Sequence, residues 1–86
     1  MEDIFLKRYP HLDLHGYDRD SARVMVNDFI LENIVLGNDT IIIIHGIGKG
    51  IIKREVHRAL SHDKRVLEYK TDNFNDGCTI VKLIKK

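Results

Sequence analysis

The sequence predicts an α/β two-layer sandwich: a four-stranded mixed sheet with two helices, in the order strand-helix-strand-helix-strand-strand. Three observations carry this. Residues Arg19 to Leu36 hold an apolar face at helical spacing between a start signal and a stop signal. Thr40 to Ile44 is an unbroken β-branched run, the pattern of a central strand covered on both faces. A second helical stretch and two short strand-like segments follow. Two successive crossovers through helices require parallel strands with right-handed connections.

Each element has a local reason. His11-Leu12-Asp13-Leu14 alternates polar and apolar residues, which suits a short strand. Gly16 marks the turn after it, and Asp18 stands where a helix N-cap should be. In the first helix Ala22, Met25, Val26, Phe29, Ile30 and Asn33 share one face, and Val24, Leu31 and Val35 widen the apolar stripe. Gly37 and Asn38 end it with a left-handed residue. Ile51 to Leu60 reads as the second helix, with Ile52, Val56, Ala59 and Leu60 inward. Val66 to Lys70 and Cys78 to Ile84 read as an antiparallel pair joined by the polar stretch Thr71 to Gly77. Residues 1–10 form a lead-in whose Ile4, Phe5 and Leu6 pack on the body.

Composition narrows the class. The 86 residues suffice for one core and not two. With 43% hydrophobic and 31% charged residues the chain belongs with globular domains rather than disordered tails. The longest apolar run, Ile41 to Ile44, is far too short to cross a bilayer, and Met1-Glu2-Asp3-Ile4 lacks a basic-then-apolar leader. The single cysteine, Cys78, makes no internal disulfide and reads as a small buried hydrophobe. Together these place the chain in the cytoplasm. No cysteine pair is present for structural zinc, and no metal site is expected. A net charge of +1 excludes a protein that coats duplex by charge alone and leaves local clustering to decide the partner.

The chemistry should sit beyond the carboxyl ends of the parallel strands. The first strand ends at Asp13-Leu14-His15-Gly16 and the second at His45-Gly46-Ile47-Gly48-Lys49-Gly50. If the strands are neighbours, a carboxylate, two imidazoles and a glycine loop meet at one rim. Asp13 and His15 are two apart, so their side chains leave on the same side. A glycine loop opening a helix presents free amides to an anion, and Lys49 adds charge. Each piece also has a plainer role: Asp13 as a turn cap, His15 as a structural imidazole, the loop as a tight turn. Nucleotide cofactors are not expected. Gly46-x-Gly48 with Ile51 in the third glycine's place misses the dinucleotide fingerprint, and Gly48-Lys49-Gly50 fails the P-loop pattern. The second helix carries Lys53, Arg54, His57 and Arg58; Lys53 and His57 share a helical face, as do Arg54 and Arg58. This is the best basic patch in the chain. It suits contact with a phosphate backbone, or a solvated face partly neutralised by Glu55.

Three segments together resemble the small MutS-related (Smr) domain family: Leu12-Asp13-Leu14-His15-Gly16, His45-Gly46-Ile47-Gly48-Lys49-Gly50 and Gly77-Cys78-Thr79-Ile80-Val81. Their order and spacing match over roughly residues 11 to 84. The resemblance implies a two-helix, four-strand fold similar to the C-terminal domain of a bacterial translation initiation factor. It implies an Smr domain over 11–86, read as a stand-alone member without the MutS-type ATPase and clamp regions. Such domains are associated with nicking of DNA, with RNA cleavage on stalled ribosomes and with suppression of homologous recombination. The implied function is therefore nucleic-acid binding with endonuclease activity, and the alternative is a non-catalytic module that grips RNA, a DNA junction or the ribosome.

The resemblance suggests Asp13 and His15 as the catalytic pair and Gly46 to Gly50 as the contacting loop, with Gly46, Gly48, Lys49 and Gly50 joined by Lys53 and Arg54 of the patch. His15 would act as general base or acid, and Asp13 would orient it or, where a divalent ion is used, hold that ion. His45 joins the catalytic set as a second acid/base or as a shaper of the loop. On RNA a 2′-hydroxyl can be the nucleophile without a metal. On DNA water is needed, and with it Mg²⁺.

Overall fold

The computed structural model describes residues 8–48, 50–72 and 77–85. The lead-in packing expected of Ile4, Phe5 and Leu6 lies outside them, as do Lys49 and the tip of the last connection. The elements run β1 (His11–Asp13), α1 (Arg19–Leu36), β2 (Thr40–Ile44), α2 (Ile51–Ser61), β3 (Val66–Thr71) and β4 (Cys78–Leu83). The sheet order is β1-β2-β4-β3. β1 is parallel to β2, and β4 is antiparallel to both β2 and β3. The expected two-helix, four-stranded mixed sheet is what the chain forms. Both crossovers step the same way along the sheet. Right-handed connections therefore put both helices on one face, and Arg23 of α1 reaches Glu55 of α2 at 3.4 Å.

Local chemistry explains the boundaries. The Asp18 carboxylate accepts the Ser21 N–H at 2.8 Å and caps α1. At the other end Gly37 adopts φ 85°, and the N–H groups of Gly37 and Asn38 donate to the carbonyls of Ile34 and Asn33. That pairing satisfies the last carbonyls in the manner of a Schellman motif. Asn33 is buried there and bridges to the Phe29 carbonyl and to Asn38. β1 is one residue shorter than its alternation suggests. After Asp13 the chain turns: Tyr17 N–H donates to the Leu14 carbonyl, with Gly16 at φ 86° in the third position, the one a type II turn reserves for glycine.

The core lies between sheet and helices. Ile41, Ile43, Val81 and Leu83 meet Leu14, Ala22, Val26, Ile30, Val56 and Leu60. Burying one such aliphatic side chain contributes about 1.5–3 kcal/mol. Val24, Leu31 and Val35 do not widen this stripe, because they are 55%, 53% and 58% exposed. A helix resting on one sheet face buries a single stripe, and these three follow their own line seven and then four residues apart on the outer side. Cys78 is buried, as its apolar surroundings suggest. Among the described residues no helix is long and apolar enough to cross a membrane.

Candidate nucleic-acid interface

The pairing of β1 with β2 brings the ends of both strands to one rim. Asp13 stands opposite Ile44, and the Leu14 N–H donates to the Ile44 carbonyl at 2.9 Å. Asp13 and His15 are both exposed there. The Asp13 Oδ1 accepts the backbone N–H of His15 at 2.9 Å. This is an Asx turn, so the carboxylate holds the chain that carries His15 rather than its imidazole. Asp13 and Ile44 belong to the sheet face away from the helices, whereas Leu12, Ile43 and Thr79 belong to the helix side.

His45 lies on that helix side. It is buried, and its ring is held at both nitrogens. Nδ1 is 2.9 Å from the Gly46 carbonyl and Nε2 is 2.7 Å from the Thr79 hydroxyl. The same hydroxyl is 2.7 Å from Nε2 of His57 on α2. Thr79 is fully buried at this junction. The His57 ring sets an edge against His45 at 5.9 Å and against Tyr69 of β3 at 5.1 Å. Burial holds the His45 pKa below its ordinary value against the pull of the Gly46 carbonyl, with Lys53 lowering it further. The His57 pKa is also lowered, first by burial, then by His45 and Lys53. Both imidazoles are therefore held toward the neutral form.

The loop after His45 is pinned as well. The N–H groups of His45 and Gly46 both donate to the Gly77 carbonyl, at 2.8 and 3.0 Å. The Gly46 amide is thus engaged within the fold, which corrects the expectation that it is free for an anion. Gly50 is the N-cap of α2 in the left-handed region (φ 80°), and no side chain caps the helix. The first-turn amides of α2 consequently face the rim without a side-chain acceptor. Gly48 also has positive φ. Lys49 lies outside the described residues.

From this loop an open groove of about 560 Å³ runs along α2 to β3, lined by Gly50, Lys53, Arg54, His57, Arg58 and Tyr69. A smaller pocket of about 140 Å³ along Gly46 to Ile52 shares Gly50 and Lys53 with it. The two helical pairs line one depression. Glu55 does not neutralise it, because its carboxylate faces Arg23 of α1. Among the described residues Lys53, Arg54 and Arg58 have no carboxylate partner.

Sequence reasoning counted His57 and Arg58 only as charge in the basic patch and gave Thr79 and Tyr69 no role at the site. His45, His57 and Thr79 are separated by 12 and 22 residues and obey no local period. Only the strand order, which sets Thr79 opposite Ile43 beside the end of β2, brings them together.

Fold and rim define an α/β sandwich domain whose basic, glycine-rich edge lies at the carboxyl end of its parallel strands. The Smr domain model matches residues 12–84, and the chain belongs to the Smr domain family. It is 35% identical over 77 residues to the Endonuclease MutS2 of Symbiobacterium thermophilum, a match covering 86% of this chain and 10% of that protein. The Endonuclease MutS2 of Lactobacillus acidophilus is 35% identical over 78 residues, covering 87% and 10%. The chain thus spans about a tenth of the length of these relatives. The solved Smr domain of Thermus thermophilus MutS2 superposes with a TM-score of 0.85 at 29% identity, over 87% of this chain and 98% of that one. YdaL, a stand-alone small MutS-related protein from Escherichia coli, superposes with a TM-score of 0.83 at 29% identity, over 91% and 68%.

Proposed function

We propose that this chain binds nucleic acid along the α2 groove and cleaves phosphodiester bonds at the adjoining rim. The observation that carries the reading is a groove lined by Lys53, Arg54 and Arg58, which have no carboxylate partner among the described residues, continuous with a glycine loop at a helix N-terminus. Cations left unpaired in this way attract a phosphate backbone. Relatives matched over the whole of this domain are named endonucleases, which supports the catalytic half. In this reading the loop of Gly48, Lys49 and Gly50 with Lys53 and Arg54 holds the backbone, and Gly46, whose amide donates to the Gly77 carbonyl, fixes the start of the loop. The exposed His15 moves the proton, and Asp13 fixes the turn from which His15 projects. His45 shapes the loop from behind. Cleavage of RNA can use the chain's own groups with the 2′-hydroxyl as nucleophile, whereas cleavage of DNA needs water and, with it, Mg²⁺.

The experiment is strand scission on structured RNA and on supercoiled DNA, with and without Mg²⁺, by wild type, His15→Ala and Asp13→Asn. Asparagine keeps an acceptor for the His15 amide. His15→Ala should lose at least about 10²-fold in rate while its unfolding midpoint stays put, and Asp13→Asn, which keeps the turn, should retain most of the rate. One observation favours a second reading, a binding module without catalysis: the Asp13 carboxylate is engaged by a backbone amide. Salt-sensitive binding without scission under any condition selects that reading.

A further inference from the structure

The hydroxyl of Thr79 has one hydrogen and two imidazole nitrogens at 2.7 Å. It donates to one and accepts from the other. The Gly46 carbonyl decides which. A carbonyl only accepts, so His45 Nδ1 carries the hydrogen. In neutral His45 Nε2 is then a lone pair, and it takes the Thr79 hydrogen. Thr79 Oγ1 must in turn accept from His57 Nε2–H. His57 Nδ1 is left as a bare lone pair. That atom has no protein partner among the described residues, and it is not sealed from solvent. His57 lines the groove beside Lys53, Arg54 and Arg58.

We propose that His57 Nδ1, held as an acceptor by the His45-Thr79 chain, takes a hydrogen bond from a ribose 2′-hydroxyl whose phosphate sits on Lys53, Arg54 and Arg58, so that the groove prefers RNA to DNA. The inference rests on the nucleic-acid reading of this groove and adds a residue that tells the two strands apart. Three cations alone do not discriminate, because both strands carry the same phosphates. A bare acceptor among cations has no use for a phosphate oxygen, which is itself an acceptor. It suits a group that donates and lies next to a phosphate. In a nucleic-acid backbone the 2′-hydroxyl is that group, and DNA lacks it. Tyr69 lines the same groove, and an aromatic ring in such a groove is a group on which bases stack.

The test compares binding of matched single strands of about ten nucleotides: RNA, DNA and 2′-fluoro RNA, across a salt series at pH 7.5, with strand integrity checked afterwards. Wild type should bind RNA about five- to tenfold tighter than DNA, as expected for one hydrogen bond. The 2′-fluoro strand should fall in with DNA. His57→Phe should bring the three within about twofold while keeping the salt slope. In parallel, ¹⁵N resonances of wild type should show His57 Nδ1 unprotonated in the free protein and moved upfield by RNA but not by DNA. This readout needs no variant and stands even if His57→Phe fails to fold. Equal, salt-dependent binding of RNA and DNA overturns the ribose inference alone, and so does a preference that survives His57→Phe or a protonated Nδ1 in the free protein. Absence of salt-dependent binding to every strand overturns the nucleic-acid reading together with it.

Discussion

Replacing Thr79 by valine removes one oxygen and leaves the side-chain shape nearly unchanged, so it isolates the hydroxyl that joins the two histidines. Two bonds of 2.7 Å disappear. At the His57 end one hydrogen bond is lost, a net cost of about 1 kcal/mol. At the His45 end the ring is 8% exposed, so Nε2 is left without a partner in the interior, which costs about 1–3 kcal/mol. The extra buried methyl offsets under about 1 kcal/mol. The sum is a destabilisation of about 1–3 kcal/mol, and for a domain this small about 5–20 °C in Tm. Urea unfolding at pH 7.5, followed by far-ultraviolet circular dichroism, measures it against Thr79→Ser. Serine keeps the oxygen and drops the methyl, so it should cost about 1 kcal/mol. The order of the two variants decides the matter. If Thr79 mattered through packing, valine would be the milder change and serine the harsher. Valine within about 0.5 kcal/mol of wild type, or serine worse than valine, refutes the hydrogen-bonded chain.

Other outcomes follow from the same geometry. His45 and His57 have folded pKa values below the ordinary 6.5. The unfolded chain therefore takes up protons first as pH falls, and stability complete above 6.5 is lost as pH drops from there through the lowered folded values; urea midpoints between pH 8 and 5 should show this, and His57→Phe should flatten it. Asp18 and Asp63 have pKa values below their ordinary 3.8, so their contribution is lost only in more acidic solution. Lys53→Gln and Arg58→Gln should each reduce the slope of log affinity against log salt by about one, while Arg23→Gln, whose guanidinium faces Asp20 and Glu55, should leave it unchanged. Gly37→Ala places a Cβ at φ 85° with open space around it, so the cost is the backbone's alone, about 1–2 kcal/mol by urea unfolding, with nucleic-acid affinity untouched.

Much of the fold is legible because its punctuation is chemical. Asp18 and Gly37 bound α1 where their side-chain and backbone preferences place them, and the isoleucine run of β2 can only be a buried strand. The outer residues Val24, Leu31 and Val35 mislead because apolarity does not specify which stripe of a helix meets the sheet. The site is legible in its strand ends and loop, which lie at the ends of recognisable elements. Its interior is not. The Asx turn of Asp13, the use of the Gly46 amide by Gly77 and the pairing of Glu55 with Arg23 all depend on partners that no local pattern names. The link between His45 and His57 depends on a strand that comes last in sequence and enters the middle of the sheet.

That late strand ties the groove to the fold. β4 pairs with β2 on one side and β3 on the other. With it come the Thr79 hydroxyl, which sets both imidazoles, and the Gly77 carbonyl, which holds the amides of His45 and Gly46. Before β4 docks, β2 and β3 have no shared partner, His45 Nε2 has no donor to meet, and the loop has nothing to fix its first two residues. The groove chemistry therefore depends on the closed sheet. A local opening that frees β4 dissolves the His57 acceptor and the loop together, even though every residue that lines the groove belongs to other elements.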